Sequence, residues 1–202
     1  WDNLHQFPGG REDPEIKRWE SFYTEDVFLT RVAALPQPPR DRVIREITEE
    51  HIRKVKLPRK EDGTYDCEFH IAIDPGYLPS AYAVLFVAVW DTEFGKFWYI
   101  FDEIYEQLVQ NEEIIDRVKK HPFYRLASPQ NLTIDVASKK HVDGNEPTID
   151  KFKRLTKFKS PYTKYWHEKA LIDRIRTTAK ANLIAIHPNC RGLIAELGLG
   201  EE

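Results

Sequence analysis

Three apolar runs in immediate succession, over residues 67–74, 82–90 and 97–105, constrain this chain more than any other feature. Cys67-Glu68-Phe69-His70-Ile71-Ala72-Ile73-Asp74 alternates like a half-buried strand and stops at Asp74-Pro75-Gly76, a turn sequence. Tyr82 to Trp90 is nearly continuous in apolar residues, as a strand covered on both faces must be. Asp91-Thr92-Glu93-Phe94-Gly95-Lys96 then reads as a hairpin connection into a third strand, Phe97 to Tyr105. Linkers this short predict an antiparallel meander.

The period changes after the meander. Ile114, Ile115 and Val118 fall at helical spacing within 112–120, and Asn131-Leu132-Thr133-Ile134-Asp135 is a short strand that ends in a second aspartate. Helical patterns follow at 148–156 and 165–179, then a strand at 182–187 and a helix after Pro188 running through Leu197. A meander followed by alternating helices and strands predicts an α/β fold with a mixed sheet, its first three strands antiparallel and the later ones parallel to the first, flanked by helices. That order is the one found in RNase H-like folds.

Upstream the texture differs. The first sixty residues lack strand alternation and carry turn signals at Pro8-Gly9-Gly10 and Pro36-Gln37-Pro38-Pro39, with a polar helix expected near 14–34. We therefore expect an N-terminal arm or linker over 1–62 and the main domain over 63–202. A chain that starts at Trp1 and contains no methionine is read as a piece of a longer protein.

Composition excludes several classes. An apolar share of 41% and a charged share of 31% fit a globular domain with a charge-rich surface. The longest apolar run, 81–90, is about half of what a membrane-crossing helix needs, and no signal segment opens the chain. Cys67 and Cys190 are too few and too far apart for a disulfide framework; His187 with Cys190 supplies half of a zinc spacing and nothing supplies the rest. No glycine-rich Lys-Ser/Thr loop is present, so an ATPase site is not expected in these residues.

With a net charge of only −3, any nucleic-acid contact must come from local patches. One is Arg53-Lys54-Val55-Lys56-Leu57-Pro58-Arg59-Lys60. The other runs from Lys151 to Lys169, where Lys151, Lys153, Arg154, Lys157, Lys159, Lys164 and Lys169 face a single acid, Glu168, and interleave with Phe152, Phe158, Tyr162, Tyr165 and Trp166. Such a stretch suits a surface that tracks phosphates with aromatic support. Lys139 and Lys140, close behind Asp135, are further phosphate contacts on this reading; a solvated helix or loop would look the same.

The chemistry concentrates at Asp74 and Asp135. Each closes a short apolar strand, and if the two strands are parallel neighbours both carboxylates emerge at one sheet edge. Two carboxylates so close repel each other, and a shared proton or a bound divalent cation resolves the repulsion. Mg²⁺ or Mn²⁺ takes oxygen ligands of this kind, and a pair of such ions can activate a water and stabilise a departing oxygen in phosphodiester cleavage. An aspartate before Pro-Gly is equally a common turn starter. Asp102 and Glu103 alternate on the third strand, so one faces each side of the sheet and either is an auxiliary ligand or a solvated strand acid.

The segment Phe69 to Val84, with Asp74-Pro75-Gly76 at its centre, resembles the first-strand segment of the nuclease domain of viral DNA-packaging terminase large subunits. Tyr99-Ile100-Phe101-Asp102-Glu103-Ile104-Tyr105 is similar to that family's third strand, Thr133-Ile134-Asp135 to its second acidic position, and Ile186 to Leu197 to its late strand-to-helix segment; Ser21-Phe22-Tyr23 through Ile44 resembles the tail of the preceding ATPase domain. The resemblance implies an RNase H-like fold and a metal-dependent endonuclease that cuts double-stranded, concatemeric viral DNA during packaging in the host cytoplasm. It implies two divalent metals, Mg²⁺ or Mn²⁺, on Asp74 and Asp135, and as partners DNA, the other terminase subunits and the portal, with the isolated piece a monomer. It implies a third acid after the late helix, which we expect beyond Glu202 rather than at Glu196, Glu201 or Glu202. Two other readings compete: a different RNase H-like nuclease of resolvase or transposase type, and a non-catalytic DNA-docking module of a packaging machine.

Overall fold

The structure, a computed structural model, describes residues 9, 12–22, 43–76, 81–135, 146–158 and 168–199. Its contacts divide the chain between Val43 and Ile44 into two units. The smaller contains α1 (Pro14–Phe22). Asp13 caps this helix, its carboxylate accepting the Glu15 N–H at 3.0 Å. The remainder of the helix expected over 14–34 lies outside the described residues.

The larger unit is built on β1 (Glu68–Asp74), β2 (Tyr82–Thr92) and β3 (Gly95–Glu106), followed by α2 (Asn111–Lys120), β4 (Leu132–Ile134), α3 (Thr148–Leu155), α4 (Glu168–Lys180), β5 (Ile184–Ile186) and α5 (Arg191–Glu196). The sheet has five strands in the order β4-β1-β2-β3-β5. β1, β2 and β3 pair antiparallel, β4 pairs parallel with β1, and β5 pairs parallel with β3. This is the RNase H-like mixed sheet expected from the sequence. β1, β3, β4 and β5 all point the same way, so their C-terminal ends share one edge.

The registers follow from side-chain period. Phe69, Ile71 and Ile73 alternate into one face of β1, where they meet Ala88, Phe86 and Val84 across the β2 register. With Ile114, Ile115 and Val118 of α2 and Ile149 and Phe152 of α3 they form the first core, nearly all of it less than 5% exposed. Burying each such side chain contributes about 1.5–3 kcal/mol. β2 is apolar on both sides because it is central. Its other face, with Val87 and Val89, joins Ile100, Ile184, Ile186, Ala179 of α4, Cys190 at the cap of α5 and Ile194 of α5 in a second core.

Turn chemistry sets where elements stop. Gly95 takes φ +128° at the β2–β3 hairpin, a left-handed value that a side chain rarely adopts. Just past α5, Gly198 takes φ +65°, and the Leu199 N–H reaches back to the Ile194 carbonyl at 3.0 Å, closing the last turn.

Residues 44–62, which the sequence assigns to the arm, belong to the larger unit. Ile47 is buried in the second core, Ile52 bridges to Ile186 on the outer side of β5, and the Arg53 N–H donates to the Ile186 carbonyl at 2.9 Å. Buried His51 fastens this strap to α4: Nε2 lies 3.0 Å from the Ala179 carbonyl, and Nδ1 accepts the Thr48 N–H at 3.0 Å.

Candidate active site

Asp74 is the last residue of β1, and Asp135 directly follows β4. Ile73 pairs with Ile134, and the Asp135 N–H donates to the Ile73 carbonyl at 3.0 Å, so the two aspartates leave neighbouring parallel strands side by side. Both are exposed. Loss of hydration beside the protein raises the Asp74 pKa first, and the charges of Asp135 and then Glu196 push it the same way. The positions after parallel strand ends, where backbone ladders stop, are where open α/β sheets place their ligand sites.

Alternation turns Asp74 away from the first core, onto the face that carries Ala72 and His70. Ala83 lies opposite Asp74 and Tyr105 lies opposite Ala83, so a small residue separates the aspartate from the tyrosine across the sheet. The Tyr105 hydroxyl donates to Glu196 Oε1 at 2.8 Å, and this bond, more than burial, raises the phenol's pKa. Glu196 closes α5, which docks here because Glu103 accepts the N–H groups of Gly192 and Leu193 at 2.6 and 3.0 Å. A Cβ on Gly192 would stand 2.2–2.6 Å from the Tyr105 ring, so only glycine lets this helix approach β3 so closely.

The other strand acids are engaged internally. Asp102 accepts from His121 Nε2 at 3.0 Å, and the imidazole stacks on Phe86 with ring centroids 3.6 Å apart. Glu103 is the helix anchor just described. Cys190 is fully buried, and burial above all pushes its thiol up to about 12, so it stands as a core thiol; His187 Nδ1 accepts the Asn189 N–H at 3.1 Å. Among the described residues no trio of His, Cys, Asp or Glu is arranged to hold a metal ion. Asp74 and Asp135 are a pair of hard oxygen donors, and their chemistry suits Mg²⁺ or Mn²⁺ rather than a softer metal.

The expected phosphate contacts fall in different places. Lys139, Lys140 and Lys159 lie outside the described residues. Lys151 pairs with Glu112 at 2.6 Å, Lys153 with Asp150 at 3.6 Å, and Arg154 with Glu146 at 2.6 Å. Lys157 donates to the carbonyls of Ala127 and Arg125 at 2.6 and 3.2 Å. The aromatic support expected from Phe152 and Phe158 is not there: both are buried in the first core, Phe152 on the apolar stripe of the amphipathic helix 148–155 and Phe158 just past that helix's end. In the upstream patch Arg53 bonds the Glu50 carbonyl and Asn182, and Arg59 lies over the Tyr65 ring, while Lys54, Lys56 and Lys60 are exposed.

Sequence reasoning missed the α5 anchor and the Tyr105–Glu196 bond. The alternation that places Glu103 and Tyr105 on one face of β3 was the available signal; that a short helix would dock there was not visible.

No family model matches the chain, and no curated protein does. Among solved structures it is similar to the nuclease domain of the P22 large terminase, with a TM-score of 0.58 and 13% identity over 81% of this chain and 80% of that one. It is also similar to the large terminase of a thermophilic bacteriophage, with a TM-score of 0.57 and 13% identity over 98% of this chain. It spans 50% of that second terminase, so about half of the relative has no counterpart here. At these identities the likeness is one of fold: the chain folds as the nuclease domains of large terminases do.

Proposed function

We propose that this chain is a divalent-metal-dependent endonuclease that cuts double-stranded DNA, and that it serves a packaging motor by cutting concatemeric viral DNA in the infected host's cytoplasm. The observation that carries the reading is the side-by-side exit of Asp74 and Asp135 from neighbouring parallel strands, on the fold shared with terminase nucleases. Asp74 and Asp135 hold the cations, two on this reading, and Mg²⁺ or Mn²⁺ bound there supplies the Lewis acidity that phosphodiester hydrolysis requires. The protein's own contribution is to hold the two carboxylates side by side on strand ends, where lost hydration first and the neighbouring Asp135 charge second raise the Asp74 pKa.

On this reading DNA is gripped through its phosphates with little base readout, by Lys139, Lys140, Lys151, Lys153, Arg154, Lys157 and Lys159. Internal pairing of Lys151, Arg154 and Lys157 requires those cations to exchange partners on binding. The residues before 44 lead in from an ATPase domain, the isolated piece is a monomer, and the portal and other terminase subunits are partners of the whole protein. No helix among the described residues is long and apolar enough to cross a membrane.

The test is supercoiled plasmid incubated with the chain in Mn²⁺, Mg²⁺ or EDTA, beside Asp74→Asn and Asp135→Asn. Nicking and linearisation that need metal and vanish in both variants support the nuclease. An intact plasmid in both metals, with DNA still retained in a binding assay, sinks it in favour of a docking module.

A further inference from the structure

The fold treats the two basic stretches of the chain differently. On α3 and just past it the cations are engaged: Lys151 and Arg154 sit in ion pairs with Glu112 and Glu146, and Lys157 donates to two carbonyls. On the strap, Lys54, Lys56, Arg59 and Lys60 are exposed. Among the described residues the ammonium groups of Lys54 and Lys56 have no hydrogen bond or ion pair. Exposed acids, Glu49 and Glu50 before the stretch and Glu61 and Asp62 after it, bracket the positive run without entering it.

Unpaired lysines on a loose loop would be ordinary solvated charges, but this segment is fastened along its length. The Arg53 N–H donates to the Ile186 carbonyl at 2.9 Å, the Val55 N–H to the Tyr99 hydroxyl at 3.1 Å, and the Asp66 N–H to the Pro58 carbonyl at 2.9 Å. Arg59 bridges antiparallel to Tyr65, and its guanidinium lies 4.2 Å over that ring. Val55 and Leu57 are half-buried beside the exposed lysines, Leu57 against the first core, so alternation turns Lys54 and Lys56 to solvent together. Such alternation is that of extended backbone, which spaces alternate residues by about 6.6 Å. Two phosphate steps along one strand of a duplex span about 6.8 Å of helix axis.

We propose that the strap is a phosphate track for duplex DNA, carried by Lys54, Lys56 and Arg59 and separate from the cations of α3. The inference rests on the nuclease reading for its choice of duplex DNA, and it concerns grip rather than cutting. Ile52 lies beside Ile186, the last residue of β5, and Asp66 comes just before β1, which points the same way as β5. The strap therefore runs from the sheet edge where Asp74 and Asp135 leave to the opposite edge. Its outward face carries lysine and arginine with the apolar side chains turned in, whereas protein interfaces are depleted in lysine and bury an apolar core. Point charges on a fastened backbone suit phosphates, which are held without base readout.

Binding can be measured without cleavage. A short fluorescein-labelled duplex, titrated with the full chain in EDTA across a salt series and read by anisotropy, gives the affinity and its salt slope. The variants are Lys54→Ala with Lys56→Ala, and Lys54→Arg with Lys56→Arg. Each phosphate contact contributes about 0.9 to the slope of log affinity against log salt, so the alanine pair should lower its magnitude by about 1.8 and weaken binding tens of fold near ~0.1 M salt. The arginine pair keeps both charges and should keep the wild-type slope. Because both lysines are exposed, thermal midpoints should match wild type, which separates lost grip from lost folding.

A wild-type slope in the alanine pair overturns the track, as does a wild-type chain that binds no duplex in EDTA. A polyglutamate peptide that binds wild type as tightly as the duplex, and loses as much in the alanine pair, also overturns it, because the surface would then suit an acidic protein. In each case metal-dependent plasmid cleavage that vanishes in Asp74→Asn leaves the nuclease reading standing. A slope lost in the alanine pair, with no metal-dependent cleavage by wild type, supports the track and removes the nuclease.

Discussion

Two pairs of acids stand on this sheet, and they have different fates. Asp74 and Asp135 leave β1 and β4 at an exposed edge, beside Ala72 and exposed Thr133. Asp102 and Glu103 sit on β3, where a helix and an imidazole reach them: Glu103 anchors α5, and Asp102 binds His121. In sequence the two pairs look alike, since Asp74, Asp135 and Asp102 each follow an apolar strand residue and Glu103 follows Asp102. What separates them is the neighbour across the sheet and above it. On β3 a helix N-terminus and an imidazole dock on the acids and give them structural roles, while Asp74 and Asp135 stand exposed at their strand ends.

The comparison is broken most directly at Asp74 and Asp135. Removing one charge from either should reduce metal-dependent plasmid cleavage by about a thousandfold or more, of order 4 kcal/mol in transition-state stabilisation. The thermal midpoint should hold or rise. Asp74's raised pKa means that its ionised form is disfavoured in the folded chain, so at neutral pH the amide removes a repulsion. A thermal scan of Asp74→Asn beside the cleavage assay reads both effects, and a large drop in midpoint would assign this aspartate to structure, like the β3 pair.

On β3 the expected effects run the other way, through stability. Gly192→Ala forces a Cβ to within 2.2 Å of the Tyr105 ring, where something must move. Overpacking of this kind costs about 1–3 kcal/mol, read as a lower urea midpoint at unchanged slope. Glu103→Ala removes the acceptor for two N–H groups at the start of α5 and should cost about 1–2 kcal/mol. If Glu103→Ala left stability untouched and changed only the Mn²⁺ affinity, Glu103 would belong with the cation site and the contrast between the pairs would fail.

The sheet was legible because its signals are local and periodic. Phe69, Ile71 and Ile73 alternate, the run around Phe86 is apolar without alternation, and these two patterns alone separate a half-covered strand from a central one. The exit of Asp74 and Asp135 at one edge followed from topology. The roles of Asp102 and Glu103 did not, since His121 is 19 residues from Asp102 and Gly192 is 89 from Glu103, and such contacts leave no periodic trace. Phe152 and Phe158 were misplaced for a related reason: basic residues interleaved with aromatics describe a phosphate-tracking surface and an amphipathic helix equally well, and only the presence of a sheet to dock on decides between them. Residues 44–62 carry proline and basic residues like a linker, yet Ile52 finds Ile186 at the far end of the chain and covers the outer side of β5.

The smallest effect is expected at Asp102, and it is the sharpest test of the contrast because Asp102 follows an apolar strand residue just as Asp74 does. Its carboxylate is about half exposed, while the side chain of His121 is only 13% exposed and stacked on Phe86. Asparagine keeps an oxygen to accept from Nε2, so Asp102→Asn retains the hydrogen bond and loses only the negative charge of the acceptor, which for a partly solvated contact is worth under about 1 kcal/mol. Plasmid cleavage and Mn²⁺ affinity should match wild type, because alternation turns Asp102 toward Phe86 and the first core, on the sheet face opposite to Asp74. If Asp102→Asn abolished cleavage while its urea midpoint stayed at the wild-type value, the division between the two pairs would be wrong. The His121-bound aspartate would then have to be read as part of the reaction, with its charge transmitted through the sheet rather than across an open face.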